Sequence, residues 1–217
     1  LYGKQIFNLK EKLENIKVIP NGVSLNISYK DNIELNDLNK YNLFKNKYFL
    51  YVGDRRPHKN IQSIITLVKL YNKKFNKNFK LILAGSNSYK NFKLLSMINQ
   101  NKRFVLEIIN PKDSLLDYLY NNCEALCFLS LSEGFGIPIL EAAIREKKII
   151  ANKIQIFKEV APSQSLLIDP NDFENILEDI NKYLNNDIFP VKQDIKKKWS
   201  WINSASLLSK ILLSTMD

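Results

Sequence analysis

The chain has 217 residues, 45% of them hydrophobic and 25% charged, with a formal net charge of +10. These values exclude a disordered or fibrous chain, and no apolar run reaches the roughly 20 residues that a membrane-spanning helix needs. Two cysteines, Cys123 and Cys127, and a single histidine give metal chemistry and disulfide scaffolds little to build on, and suit buried, reduced thiols in a cytoplasmic protein.

A chain of this size buries roughly 70% of its unfolded surface, enough for one core with terminal extensions. Much of the positive charge is Lys set among Asn (Asn72-Lys73-Lys74, Asn76-Lys77-Asn78) or in the run Lys196-Lys197-Lys198. That pattern suits solvated helix faces, although a basic surface still favours anionic ligands or an anionic leaflet.

Tyr2, Ile6, Leu9 and Leu13 stand at helical spacing, so a helix is expected over 2–14, followed by a short strand over 16–19 that ends at the turn Pro20-Asn21-Gly22. Residues 24–45 are polar and weakly patterned and read as a linker. Residues 1–45 together read as an N-terminal helix and interdomain segment of a chain entered partway through a longer protein.

Residues 47–52 are a β-rich apolar run closed by Gly53, and from Asn60 a helix carries Ile61, Ile64, Ile65, Val68 and Leu70 to about Phe75. Between them lies the basic loop Asp54-Arg55-Arg56-Pro57-His58-Lys59. It falls at a strand's C-terminal end, the edge at which open α/β sheets bind ligands. Arg55, Arg56 and Lys59 there can neutralise a diphosphate, with solvated loop charge as the plainer reading. The next strand is expected over 79–84, a helix over 92–98 and a shorter strand over 104–109. From Pro111 a helix presents Leu115, Leu116, Leu119 and Tyr120 on one face.

Residues 126–150 organise the rest. A short apolar strand (Leu126, Phe128, Leu129) breaks at Ser132-Glu133-Gly134-Phe135-Gly136 and resumes at Ile137-Pro138 with helical periodicity through Leu140, Ala143 and Ile144. A strand, glycine loop and helix in succession form an anion site, because first-turn amides lack intrahelical partners and carry partial positive charge. Gly134 and Gly136 let the backbone approach a ligand, and Pro138 suits the first helical turn. Glu133 and Glu141 flank the same mouth without being needed for folding, although either alone also reads as a cap or a solvated side chain.

Further strands are expected over 148–151 and 165–168, a helical turn over 157–160, and a helix over 173–184 through Phe173, Ile176, Leu177, Ile180 and Leu184. Strands alternating with such helices imply right-handed crossovers and a parallel sheet covered on both faces. The expected fold is α/β, a Rossmann-like doubly wound parallel sheet over 46–186. A C-terminal helical extension over 187–217 contains an amphipathic helix at 199–213 with Trp199, Ile202, Ala205, Leu208 and Leu212.

The string EGFGIPILE at 133–141, two Glu eight apart around a Gly-Phe-Gly loop, closely resembles the signature of the retaining glycosyltransferases of family four, the group 1 glycosyl transferases of GT-B fold. YVGDRRPHKN at 51–60 resembles the family's loop in which a glycine, a basic residue shortly after it and Lys-Asn carry the donor's phosphates. IKVIPNGV at 16–23 resembles the passage between the family's two domains. The resemblance runs over 16–213.

It implies the C-terminal, donor-binding half of a GT-B enzyme, with a donor site of Gly53, Arg55, Arg56, Lys59, Ile109, Glu133, Gly134, Phe135, Gly136, Ile137 and Glu141. Amides at 134–137 would hold diphosphate and sugar oxygens, Glu141 would accept from ribose hydroxyls, and Glu133 would contact the sugar near its reacting carbon. Glu133, Lys59 and Arg55 are the implied catalytic set. The implied reaction moves a hexosyl group, mannosyl for example, from a nucleotide-diphosphate sugar to a saccharide or lipid-linked acceptor in cell-surface polysaccharide synthesis. No metal or other cofactor is implied. The site would be cytoplasmic, with peripheral contact at the inner face of the membrane. The resemblance implies that an N-terminal acceptor domain lies outside this chain, so the chain alone is expected to be inactive.

Three departures from the family's pattern stand out. Asp54 follows the glycine where many members place Arg, which leaves both Arg55 and Arg56 open as the diphosphate contact. Arg145-Glu146-Lys147-Lys148 replaces a Cys-Gly-Thr-Pro type turn and concerns the helix C-terminus. Residues 107–109 lack the usual glycine at the base wall. His58 reads as a loop residue or a weak phosphate contact. Two alternatives are a GT-B sugar-nucleotide epimerase, against which the spaced Glu pair argues, and a basic nucleic-acid or anionic-surface binding module. Dispersed Lys and core-spaced aromatics argue against nucleic acid as a partner.

Overall fold

Apolar runs too continuous for one-sided burial form the strands. β1 (Tyr48–Val52), β2 (Lys80–Gly85), β3 (Val105–Ile109), β4 (Ala125–Phe128), β5 (Lys148–Asn152) and β6 (Leu166–Ile168) pair in the order β3-β2-β1-β4-β5-β6, all parallel. β4 and β5 are buried along their whole length and β1 nearly so, as strands covered on both faces require. The computed structural model describes residues 17–23, 39, 41, 43 and 46–214. The helix expected over 2–14 and most of 24–45 lie outside these residues.

Helices α1 (Ile61–Phe75), α2 (Phe92–Gln100), α3 (Asp113–Asn122), α4 (Ile137–Ala143), α5 (Gln155–Val160) and α6 (Phe173–Asn185) alternate with the strands, giving the doubly wound sheet expected. In α1 the buried side chains Ile61, Ile64, Ile65, Val68 and Tyr71 follow the helical period. Phe49 of β1 meets Tyr71 and Phe79 edge-on, with centroids 5.9 and 5.2 Å apart. α2 begins where Asn91 Oδ1 accepts from the Leu94 amide at 3.1 Å.

Pairing is uneven where it matters. β1 matches β2 from Tyr48↔Lys80 to Val52↔Ala84, but meets β4 only at Phe49↔Ala125 and Leu50↔Leu126. The C-terminal ends of β1 and β4 are therefore free of each other. Chain order reverses between these two strands, the place where open α/β sheets leave a ligand crevice.

The ends of the chain depart from expectation. Residues 17–22 are irregular where a strand was expected, and only Val23 pairs, in parallel with Ser200. The terminal helix, α8 (Trp201–Leu213), starts after Trp199 because Ser200 caps it, accepting from the Asn203 amide at 3.1 Å. A short helix, α7 (Lys192–Lys198), precedes it. α8 leaves Trp201, Ile202, Leu208 and Leu212 exposed.

Among the described residues two cations, Arg55 and Lys148, are buried in the interior. Lys148 opens β5 and donates to the carbonyls of Tyr183 (2.7 Å), Leu184 (3.0 Å) and Asn186, at the end of α6. It thereby satisfies acceptors that have no intrahelical partner and meets the negative end of the dipole. Burial lowers its pKa. No helix among the described residues is long and apolar enough to cross a membrane.

Candidate active site

The crevice between β1 and β4 is walled by the two loops that leave these strands. The first runs from Gly53 through a single 3-10 turn, Pro57–Lys59, to Asn60, which sits in the left-handed region at φ 53°. The second runs from Leu129 to Gly136. Three contacts join them: Leu131 N–H donates to the His58 carbonyl at 2.7 Å, Asn60 Nδ2 to the Leu129 carbonyl at 3.2 Å, and Lys59 Nζ to Glu133 Oε1 at 2.7 Å. The Lys59 and Glu133 side chains are 11% and 12% exposed, so the pair is shielded yet open to a ligand. His58 thus contributes its backbone to this junction.

Of the remaining residues of the second loop, Gly134 has open space around it. Phe135 is half-buried, its ring edge-on to Trp199 at 5.2 Å. Gly136 has φ 96°, and a Cβ there would lie 2.8 Å from the Phe157 ring, so any other residue would strain the backbone and push that buried ring aside. α4 then begins at Ile137 with Pro138 in its first turn. It has only seven residues. Its dipole is accordingly modest, and the side-chain cations carry most of the site's positive charge.

The two arginines left open by the sequence take different positions. Arg55 is 3% exposed and donates from Nη1 to the Gly53 carbonyl (2.9 Å), from Nη2 to the Leu83 carbonyl (2.8 Å) and from Nε to Glu107 (3.3 Å). It clasps the C-terminal ends of β1, β2 and β3. The strands are already close there: a Cβ on Gly85 would fall 2.4 Å from the Gly53 carbonyl oxygen. Arg56 is exposed and, among the described residues, its side chain is held by Asp54, Nη2 to Oδ2 at 2.6 Å. Burial would raise the Asp54 pKa, but the hydrogen bonds from Arg56 outweigh it and hold the carboxyl below its usual value.

Glu141 lies one turn into α4. Its Oε2 accepts from the hydroxyl of Tyr120 at 2.8 Å, and its backbone carbonyl from Arg145 Nη1 at 2.7 Å. Arg145 also donates twice to Asp117 Oδ1, at 2.9 and 2.8 Å, and lies 4.8 Å over the Tyr120 ring. The turn after α4 places Glu146 at φ 56°, with its amide on the Ala143 carbonyl at 3.0 Å. This is a left-handed helix stop of the kind that usually takes glycine.

Ile109 ends β3 and is 38% exposed. Beside β3 a cleft of about 520 Å³ is lined by Tyr89, Phe92, Leu95, Glu107 and Arg55. Among the described residues no group of three His, Cys, Asp or Glu side chains is arranged to hold a metal ion.

The structure thus brings Gly53, Lys59, Glu133, Gly134, Phe135, Gly136, Ile137 and Glu141 to one edge, with Arg56 on its surface, Arg55 beneath it and Ile109 on its flank. Sequence reasoning missed Tyr120, Asp117 and Trp199 as neighbours of the site, and it placed Glu107 at the base wall without its contact to Arg55. Tyr120 was read as a core-facing residue, which it also is, and it lies 21 residues from Glu141, beyond any local pattern.

A doubly wound sheet with charged and glycine-lined loops at its switch point defines an α/β domain of the kind that forms one side of a GT-B cleft. The chain belongs to the group 1 glycosyl transferases, whose family model matches residues 35–200. It is similar to the O-antigen chain mannosyltransferase B of Escherichia coli, 30% identical over 152 residues, which cover 69% of this chain and 40% of that protein. It is also similar to the O-antigen chain mannosyltransferase RfbU of Salmonella typhimurium, 32% identical over 156 residues, or 67% and 42% of the two chains. The chain therefore spans about two fifths of the length of these relatives. Among solved structures it superposes on Anabaena HepE in complex with UDP-glucose with a TM-score of 0.71 at 18% identity, covering 94% of this chain and 59% of that one. WaaG, a glycosyltransferase involved in lipopolysaccharide biosynthesis, gives 0.62 at 17% identity, covering 91% and 53%. At these identities the superpositions establish the GT-B-type fold.

Proposed function

We propose that this chain is the donor-binding half of a retaining glycosyltransferase that uses a nucleotide-diphosphate hexose, mannose first among the candidates. The acceptor is a saccharide or lipid-linked saccharide of a cell-surface polysaccharide. The observation that carries this reading is the Lys59–Glu133 pair, 2.7 Å apart across the switch-point crevice. The mannosyltransferase names of the relatives support the sugar, and the UDP-glucose complex of HepE supports the ligand class.

The geometry suggests how the pair works. Without a ligand, the ammonium of Lys59 and the carboxylate of Glu133 neutralise each other. A donor diphosphate entering the crevice draws Lys59 onto its oxygens and frees Glu133 to accept from a hydroxyl of the sugar near the reacting carbon. As the glycosidic bond breaks, positive charge spreads over the sugar ring and negative charge collects on the departing diphosphate. Lys59, Arg56 and the amides of residues 134–137 stand where that negative charge develops, and Glu133 stands near the positive carbon. Arg55 contributes indirectly, by fixing the strand ends.

In this reading residues 46–186 form the donor domain, 1–45 the passage from an acceptor domain and 187–217 the helical return to it. One sheet edge supplies one wall of a cleft, whereas transfer needs two walls to orient the acceptor and exclude water. The reaction belongs on the cytoplasmic side, at the membrane face if the acceptor is lipid-linked. Calorimetric titration of the chain with GDP-mannose, GDP and UDP tests the reading. Binding of at least one of these, competed by inorganic diphosphate, is expected, and no binding of any of them at millimolar concentration would overturn it.

A further inference from the structure

We propose that Tyr120 is a positioning residue for the donor's ribose: it fixes one oxygen of Glu141 and so reserves the other for a ribose hydroxyl. This rests on the reading of Glu141 as the ribose acceptor. Tyr120 is 1% exposed, and its hydroxyl, cut off from water, donates to Glu141 Oε2 at 2.8 Å. A buried phenol must find an acceptor, and the carboxylate provides one. Burial, followed by the neighbouring carboxylate, pushes the Tyr120 hydroxyl well above its usual pKa, so it stays a donor at every working pH.

The rest of the cluster holds this arrangement in place. Arg145 grips Asp117 with two hydrogen bonds of 2.9 and 2.8 Å, lies over the Tyr120 ring and donates to the Glu141 backbone carbonyl at 2.7 Å. Glu141 is thus fixed at its backbone by Arg145 and at its carboxylate by Tyr120. Oε1 is left with no hydrogen bond to the protein among the described residues. A carboxylate already fixed loses little rotamer freedom when a ligand arrives, a saving worth roughly three- to tenfold in affinity for a side chain of this length.

The test compares GDP and UDP with their 2′-deoxy and 3′-deoxy forms, by calorimetry, on the unmodified protein and on Tyr120→Phe, which keeps the ring and the Arg145 contact. The unmodified protein is expected to prefer one ribonucleotide over its deoxy form by about tenfold, the scale of a hydrogen bond to a charged group. Tyr120→Phe should bind that ribonucleotide roughly three- to tenfold more weakly, with affinity for the deoxy form unchanged. A preference that stays at about tenfold in Tyr120→Phe would overturn the proposal alone. A fall of both ligands by the same factor would also overturn it, because the ring would then be holding the site together without aiming a carboxylate. Equal binding of ribo and deoxy forms by the unmodified protein would remove the ribose role of Glu141 and the proposal with it.

Discussion

Replacing Lys59 with Met keeps the side-chain stem and removes the charge, and the structure sets the size of the effect. Lys59 Nζ lies 2.7 Å from Glu133 Oε1, with the side chains 11% and 12% exposed, so the pair is neither fully solvated nor dry. Two unit charges 4 Å apart interact by about 1 kcal/mol in bulk water and about 4 kcal/mol at an effective dielectric of 20. At this intermediate burial, losing Lys59 should cost a bound diphosphate about 2 kcal/mol, a factor of roughly 30 in Kd. The variant also leaves Glu133 unpaired beside an anionic ligand, which adds repulsion. Lys59→Met combined with Glu133→Gln should therefore bind GDP or UDP more tightly than Lys59→Met alone, by roughly three- to tenfold. Titration calorimetry at one fixed ionic strength measures both, since salt screens such charges. If Lys59→Met binds within about twofold of the unmodified protein, or the double variant binds more weakly than the single one, the diphosphate does not sit between these loops.

The two arginines should separate in a urea unfolding series. Arg55→Met should lose about 2–4 kcal/mol, because two buried carbonyls and Glu107 lose their donor, whereas Arg56→Gln should keep the stability and weaken diphosphate binding. A stable Arg55→Met protein with abolished binding would reverse the assignment. Glu146→Gly should raise the melting temperature, since the left-handed backbone there costs a side-chain residue about 1 kcal/mol that glycine does not incur; a lower value would mean that the carboxylate makes a stabilising contact. Burial pushes the Cys123 thiol up to about 12, so at pH 8 it is almost wholly protonated, and deprotonation gains ground only as pH nears that value. Iodoacetamide should therefore modify Cys123 only after unfolding, and labelling of the folded protein at pH 8 would contradict this.

The strands, helices and both loops of the crevice were legible because they are local. Continuous apolar runs such as Tyr48–Val52, a 3.6-residue stripe through Ile61, Ile64 and Val68, and glycines at 134 and 136 each carry their meaning within a dozen residues. The choice between Arg55 and Arg56 was not legible, because adjacent residues of one type differ only in what tertiary structure puts beside them. Leu83 and Glu107 decide it, from β2 and β3. The departure at Arg145 was read as a matter of the helix end, and it is that, since Arg145 donates to a carbonyl of α4. It also reaches Asp117, 28 residues away, a partner that no spacing rule would have named. The start of α8 moved because Ser200, a better cap than Trp199, takes the position before the helix.

The seam at the two ends of the described chain has a consequence of its own. Ser204 donates to the Pro20 carbonyl at 2.7 Å across 184 residues of sequence, and Val23 N–H to the Trp199 carbonyl at 2.9 Å. Of α8 only Ser204 is buried, so few apolar contacts resist separation. Such a seam opens at far lower free energy than a packed sheet, and amide hydrogen exchange at Val23 and Ser204 should run ahead of exchange in β1 and β4. The same Trp199 carries the edge contact to Phe135. Slower exchange at Val23 when a nucleotide occupies the crevice would therefore show the seam acting as a latch that ligand binding closes from a distance.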